Sequence, residues 1–547
     1  MSTDTSSRVK QSFLAGSLTS SAGVFLAKAI GLFYVIPFTA LAGEKNMIFY
    51  SAPYTYYNVL LQISSAGLPY AIAAIVAKYV TRNDYKTVML IRRLSTAILS
   101  VSGFLMSMIF ILISKPLATA ILGSQATGLD ISQMRTCFMI LAIALFLVPI
   151  LYSYRGFYQG MKELRVYADS QVLEQIARVA ALLGLGYVTV KILRFNSIWA
   201  VYMAILATSI GALCAILFYS RFDRRHIGAI ARTARAQETP AVRKNDILKE
   251  LFAFGLPYLF AAILGNSQTL INTNFFVPTM TKLGMQYETA TLIYGIIEVQ
   301  CDKLTSIPQV LGAGFSVGIV PYMTTALETR NMKDLRRYVR ECLDTVLYIG
   351  VPICFCLCVL SRPIYCVMYG NANLEYGAQA LSYAALLAIV TTITPVCSSM
   401  MMTLHLRKES IFYLLIGFIV KCVTFYPAMR LIGYPGAIIS SVLCSCTIIY
   451  LCLGKIKNRY GAAYGQTLIR LFKMILGCMA MNGVFALIEL AGFTFNTVSR
   501  IVCLGQLALV GIAGMIVYIS VTAAMKVPQA VFHKSMKQLL TGGFRRR

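Results

Sequence analysis

Apolar runs of about twenty residues or more recur along the whole chain between short polar loops, the spacing of helices that cross a bilayer. Read this way, the sequence predicts an all-α polytopic membrane protein of fourteen spans. Those used below are the first (13–39), second (53–79), fifth (166–190), seventh (248–278), eighth (289–323), ninth (338–361), eleventh (409–428) and fourteenth (497–525). The first run is too long for the core of a signal peptide and is read as a retained span. Pro37, Pro257, Pro308, Pro352 and Pro395 interrupt spans, which a membrane helix tolerates where neighbours or water satisfy the freed carbonyls.

Within this pattern the fifth span is unusual. Gln171, Glu174, Gln175 and Arg178 stand at i, i+3, i+4 and i+7, one face of a helix, while Val172, Leu173, Ile176 and Ala177 lie on the rest. Four hydrogen-bonding side chains on one buried face require a wet cavity or polar partners.

A weak repeat organises the chain. A-G-L-P-Y at residues 66–70 is followed by T-R-N-D at Thr81–Asp84; G-I-V-P-Y at residues 318–322 is followed by T-R-N at Thr329–Asn331, with Asp334 after it. The repeat predicts two same-way-up lobes of six spans, 1–220 and 248–455, joined by a basic cytoplasmic linker, 221–247, with the last two spans and a basic tail in 456–547.

Composition agrees with this class: 58% hydrophobic residues, 13% charged, and a mean hydropathy of +0.70. The formal net charge is +28. Placing the N-terminus in the cytoplasm gathers most Lys and Arg into cytoplasmic segments, so a multi-pass protein of the plasma membrane with both termini inside is expected. The charges are spread over many short loops, which fits contact with anionic lipid headgroups and gives no reason to invoke nucleic acid. The Arg545–Arg547 tail is expected on the inner leaflet. Fifteen cysteines lie mostly inside spans without a C-x-x-C pair, and His226, His405 and His533 are the only histidines. They read as small buried hydrophobes, with no metal site. His405 has no partner at catalytic spacing, so an enzyme is not expected.

K-A-I-G-L-F-Y-V-I-P (Lys28–Pro37), L-Q-I-S-S-A-G-L-P-Y-A-I (Leu61–Ile72), Y-R-G-F-Y-Q-G (Tyr154–Gly160), S-Q-V-L-E-Q-I-A-R-V (Ser170–Val179) and S-V-G-I-V-P-Y (Ser316–Tyr322) resemble the polysaccharide-biosynthesis transporters of the multidrug/oligosaccharidyl-lipid/polysaccharide (MOP) superfamily. The branch they most resemble is that of the YtgP-type MurJ lipid II flippases, with stage V sporulation protein B as a sister. The resemblance implies two six-helix lobes around a cavity, two extra C-terminal helices forming a groove for lipid tails, and alternating access that carries an undecaprenyl-diphosphate-linked cell-wall precursor outward. Export of another lipid-linked polysaccharide unit or a sporulation cortex precursor is the alternative; a cation-coupled multidrug antiporter and a non-transporting assembly factor stay open. Implied partners are the lipid-linked glycan, membrane lipids and cell-wall synthesis machinery.

A diphosphate crosses hydrocarbon at least cost in a cation-lined cavity. Lys28, Arg178, Lys303 and Lys421 are deep basic residues, and Lys28, Arg178 and Lys421 are expected to meet the diphosphate in one chamber. Lys28 occupies a position where the resembled flippases carry a basic cavity residue, usually Arg. Asn58, Gln62, Gln171, Glu174, Gln175 and Lys303 are expected to line the cavity. Glu174 and Arg178 could instead form an internal i, i+4 strut. Glu298, Asp302 and Lys303 read as a closed ion pair, a cation-coupling site or a water-facing patch, and Asn272 can coordinate a cation without titrating. No cofactor is expected beyond coupling to a monovalent cation or to the membrane potential. Arg155, Gln159 and Gly160 are expected to build a structural corner, with Gly160 allowing the turn and Arg155 capping carbonyls or touching headgroups.

Overall fold

The computed structural model describes residues 34–65, 68–161, 163–238, 240–309, 323, 326–327 and 329–532. All regular structure among them is helical. The chain divides into two compact units, Met1–Gly295 and Ile296–Arg547, so the break falls inside the eighth expected span.

The first unit contains α1 (Val35–Ala42), α2 (Met47–Ser65), α3 (Leu68–Thr81), α4 (Tyr85–Leu122), α5 (Gly128–Gly160), α6 (Leu164–Tyr187), α7 (Ile198–Ala236), α8 (Lys244–Gly265), α9 (Ser267–Lys282) and α10 (Tyr287–Gly295). Local sequence sets the ends. Asp84 caps α4 by accepting from the Thr87 amide at 3.0 Å, and Thr127 with Asp130 forms a capping box at the start of α5. Helix α4 packs along α5 and α6 along α7, while α3 and α7 flank α5. Val101, Phe104, Leu105, Met108 and Leu112 stand exposed along α4, an apolar face suited to lipid and untenable in water.

The second unit opens with a π-helical turn, Ile296–Cys301, that runs into a helix over 302–309. It continues as α11 (Met332–Val359), α12 (Ser361–Tyr369), α13 (Leu374–Thr403), α14 (Arg407–Ile432), α15 (Pro435–Tyr460), α16 (Gly465–Leu490), α17 (Arg500–Ala524) and α18 (Val527–Phe532). Leu343, Val396, Met400, Cys444 and Ile448 form one apolar core among α11, α13 and α15. A second core, built on Leu347, Met474, Met481, Phe485 and Tyr518, holds the α16–α17 pair to α11. Arg470 of α16 also pairs with the fully buried Asp344 of α11.

Ten described helices are long and apolar enough to cross a membrane. They coincide with the third to sixth expected spans (91–115, 132–154, 166–190 and 196–220) and the ninth to fourteenth (338–361, 377–403, 409–428, 432–454, 467–491 and 497–525). The expected number of fourteen is therefore not reached among the described residues. The remaining four, the first two spans of each expected six-span lobe, are described in part or as shorter helices. The second is α2 with α3; the seventh is α8 and α9, separated by Asn266; most of the first, and Ser316–Tyr322 in the eighth, lie outside the described residues.

Two corner turns recur. At the end of α3 the Asp84 amide reaches Tyr79 O at 3.0 Å, the Asn83 amide reaches Val80 O at 3.0 Å, and Asn83 is left-handed with φ 57°. Ahead of α11 the Asn331 amide reaches Ala326 O at 2.9 Å, the Arg330 amide reaches Leu327 O at 3.1 Å, and Arg330 has φ 53°. Asp84 and Asn331 each then cap the following long helix. The T-R-N match thus marks the same turn twice, with the left-handed residue and the cap displaced by one position. A similar step precedes α6, where the Glu163 amide reaches Tyr158 O at 3.0 Å, and α14, where the Leu406 amide reaches Met401 O at 2.9 Å.

Gly160 corrects an expectation. It does not appear among the residues of positive φ; its role is close approach, since a Cβ there would lie 2.6 Å from Val76 Cβ and 2.7 Å from Ala73 O of α3. Gly156, one turn earlier, meets Pro69 O at 2.8 Å in the same way, so the pair is a G-x-x-x-G contact between α5 and α3. Gly160→Ala is expected to destabilise the protein by about 1–3 kcal/mol through overpacking. Gly184→Ala, where a Cβ meets nothing within 4 Å, should leave the thermal midpoint of the detergent-solubilised protein unchanged. Equal midpoints for both variants would remove the packing role.

Candidate functional site

Helix α6 carries the polar stripe of the first unit. Its residues find partners other than those expected. Glu174 does not close a strut with Arg178; its carboxylate accepts from Arg155 Nη2 of α5 at 2.5 Å. Arg155 is buried and gives its Nη2 to Glu174 rather than to headgroups, while Gln159 is half-buried near the end of α5. Gly211 of α7 lets the α7 backbone close on α6, where a Cβ would lie 2.9 Å from Glu174 O and 3.1 Å from Arg178 Cβ.

Arg178 turns to the aromatic face of α2. Its Nη2 donates to Tyr54 at 3.2 Å and Tyr50 at 3.5 Å, and its guanidinium stands 5.5 Å from the centre of the Tyr54 ring. Tyr50 in turn shares a 3.0 Å hydrogen bond with Tyr34, and Tyr54 is hydrogen-bonded to Thr208. Tyr50, Tyr54 and Tyr57 are at i, i+4 and i+7, and their rings contact one another in sequence. Arg178 Nε is buried with no hydrogen-bond partner. The cation thus rests on neutral phenols and keeps one unsatisfied donor, a condition that an anion relieves.

Gln171 and Gln175 are half-buried on the same helix. Elsewhere in the unit, Asn266 Nδ2 donates to Gln62 Oε1 at 2.8 Å, and Tyr56 donates to Asn274 Oδ1 at 2.5 Å. Asn58 is exposed on α2 and Asn272 half-buried on α9. Lys28 lies outside the described residues.

In the second unit Lys421 sits in α14, fully buried. Its Nζ donates to Ala437 O at 2.8 Å, Ser440 Oγ at 2.8 Å and Ser441 Oγ at 2.7 Å, all on α15. An ammonium has three N–H groups, so none is left for a phosphate in this arrangement. The charge of Glu298 acts on it from the π turn. Glu298 is half-buried, Asp302 exposed and Lys303 half-buried. Tyr365 and Tyr369 of α12 hold that turn through the side chain and the carbonyl of Gln300, the latter at 3.2 Å.

The MatE family profile matches residues 301–426. Lipid II flippase MurJ of Bacillus subtilis (strain 168) is 26% identical over 475 residues, covering 86% of this chain and 87% of the relative. Over most of its length the chain is thus similar to a MurJ-type MOP protein. Stage V sporulation protein B of the same organism is 21% identical over 518 residues, 93% of each chain. Among solved structures, lipid II flippase MurJ in an inward closed conformation superposes with a TM-score of 0.64 at 12% identity, covering 93% of this chain and 99% of the other. The MOP transporter fold, the resemblance and the multi-pass membrane character read from sequence therefore stand.

The tyrosines are what sequence reasoning missed. Their signal is Y-x-x-x-Y-x-x-Y at Tyr50, Tyr54 and Tyr57, running into the second span with the same helical periodicity that exposes the α6 stripe. Because Arg155 and Glu174 form a mostly buried pair, Arg155→Gln is expected to cost about 3 kcal/mol by stranding the carboxylate. Adding Glu174→Gln should recover much of the loss in thermal midpoint; no recovery in the double variant would show that the pair is not what holds α5 to α6.

Proposed function

We propose that this protein is a flippase that moves lipid II, an undecaprenyl-diphosphate-linked cell-wall precursor, outward across the plasma membrane by alternating access. The observation that carries the reading is Arg178, a deep guanidinium on neutral tyrosines with a buried unsatisfied Nε, in a chain similar over most of its length to a lipid II flippase. A cavity for drug cations would favour acids, whereas here the carboxylate of the stripe is already taken by Arg155. In this reading the two lobes are 1–220 and 248–455, both termini are cytoplasmic, and Lys28 joins Arg178 at the diphosphate. Glu298 and Asp302 are the groups to test for cation coupling, ahead of Asn272, which cannot titrate. The similarity to stage V sporulation protein B supports a second reading, in which the cargo is a different lipid-linked glycan.

Reconstituted vesicles carrying fluorescent lipid II or other undecaprenyl-diphosphate glycans test both. Wild-type protein should translocate lipid II, and Arg178→Ala should lose about tenfold to a hundredfold in binding, the value of one charge-assisted phosphate contact. Arg178→Lys should retain part of it. Normal lipid II transport by Arg178→Ala would sink the assignment; transport of only another glycan would move it to the second reading. Lys421 is separable by the same assay. If it meets the diphosphate in another conformation, Lys421→Ala weakens lipid II binding; if it only joins α14 to α15, the variant lowers the thermal midpoint and leaves binding unchanged.

A further inference from the structure

Helix α12 and the first turn of α17 form a compact assembly within the second unit. Arg500 Nη2 donates to Tyr369 O at 3.1 Å, and Asn371 donates to Thr497 O. Between these contacts Cys366 of α12 and Cys503 of α17 are both fully buried, each with its sulfur on a backbone carbonyl of the other's segment. Cys366 Sγ lies 3.2 Å from both Asn371 Oδ1 and Thr497 O, and Cys503 Sγ lies 3.7 Å from Pro363 O. The chain is thereby held on either side of the two sulfurs. Closing a disulfide brings two sulfurs to about 2.05 Å, and the reciprocal carbonyl contacts put the two thiols on facing sides of α12 and α17.

Position separates this pair from the other cysteines. The loop-charge orientation puts the segment after the ninth span and the start of the fourteenth on the outer side, where disulfides persist. Cys342, Cys397 and Cys452, which also lie near one another, belong to the apolar core among α11, α13 and α15.

We propose that Cys366 and Cys503 are an oxidisable pair that closes to a disulfide at the outer face of the membrane, stapling α12 to α17. The oxidant is a small-molecule or protein disulfide. One thiol, as thiolate, attacks it to give a mixed disulfide and releases one oxidant thiol. The second thiolate then displaces the other oxidant sulfur, so the Cys366–Cys503 bond forms as the oxidant's S–S bond breaks. Two electrons pass to the oxidant, which leaves as two thiols carrying the two protons. The staple has a defined reach. Tyr365 and Tyr369 already tie α12 to Gln300 of the π turn, so the oxidised protein links the first turn of α17 covalently to the helix that braces the Glu298 segment.

The test uses the full-length protein in lipid nanodiscs with oxidised glutathione. Thiol titration after denaturation should fall by two of the fifteen cysteines per chain, and non-reducing peptide mass mapping should show a Cys366–Cys503 link two hydrogens lighter than the separate peptides. Dithiothreitol should reverse both changes, and Cys366→Ser or Cys503→Ser should each abolish the link. Unchanged thiol counts, separate glutathione adducts without the link, or a link to any other cysteine would overturn the proposal, and the wild-type map decides even where a serine variant fails to fold. In intact cells a charged, membrane-impermeant disulfide should also form the link; formation only after permeabilisation would overturn the outer-face placement.

Discussion

A cation inside an apolar helix bundle must find a partner for each N–H that water would otherwise satisfy, and the residues around Arg178 and Lys421 are arranged by that demand. The two side chains meet it differently because their donors differ. Lysine presents three N–H groups on one nitrogen, and one stretch of α15 saturates them with a carbonyl and two hydroxyls at 437, 440 and 441, spaced i, i+3 and i+4. Arginine presents five donors fixed in a plane, and two phenols on a single helix face reach only one end of it. The lysine is thus closed as an internal strut, while the guanidinium keeps a donor to offer.

That difference depends on backbone approach. Gly211 brings α7 against the turn of α6 that carries Glu174 and Arg178, and Gly156 with Gly160 brings α5 against α3. Helices in lipid gain nothing from excluding water between them, so close contact at small residues and buried polar pairing supply their cohesion. Arg155 belongs to the same economy of contacts. Standing next to Gly156 and buried in α5, it takes the Glu174 carboxylate, and by doing so leaves the positive charge of Arg178 uncompensated by hydrogen bonding to an acid.

Hydropathy made the class and the longest helices legible, because a twenty-residue apolar run has few other uses, and periodicity revealed the α6 stripe before any partner was visible. What it could not supply was pairing. The i, i+4 rule joins Glu174 to Arg178 within one helix, yet a neighbouring helix offered a guanidinium at shorter range, and sequence carries no term for that competition. Gly160 was read as a turn former because it ends a helix, whereas its constraint comes from Val76, more than eighty positions earlier. The tyrosines of α2 carry no such mark, since aromatic residues in a span look like ordinary core. Conversely, T-R-N, a match of three residues, identified a real recurrence because turn geometry is dictated locally: a left-handed residue followed by a side chain able to cap the next helix.

The polar contacts of the first unit gather where α8 gives way to α9. Asn266, between α8 and α9, is bonded to Gln62 of α2, and Tyr56 of α2 is bonded to Asn274 of α9. Amide and phenol contacts of this kind are nearly equivalent in energy to the same groups hydrated, so water or a polar headgroup can replace them at small cost. Apolar helix faces have no such substitute. A segment interrupted at Asn266 and bound through replaceable contacts can therefore change its orientation more cheaply than the uninterrupted α4 and α5, whose union rests on packing along their length.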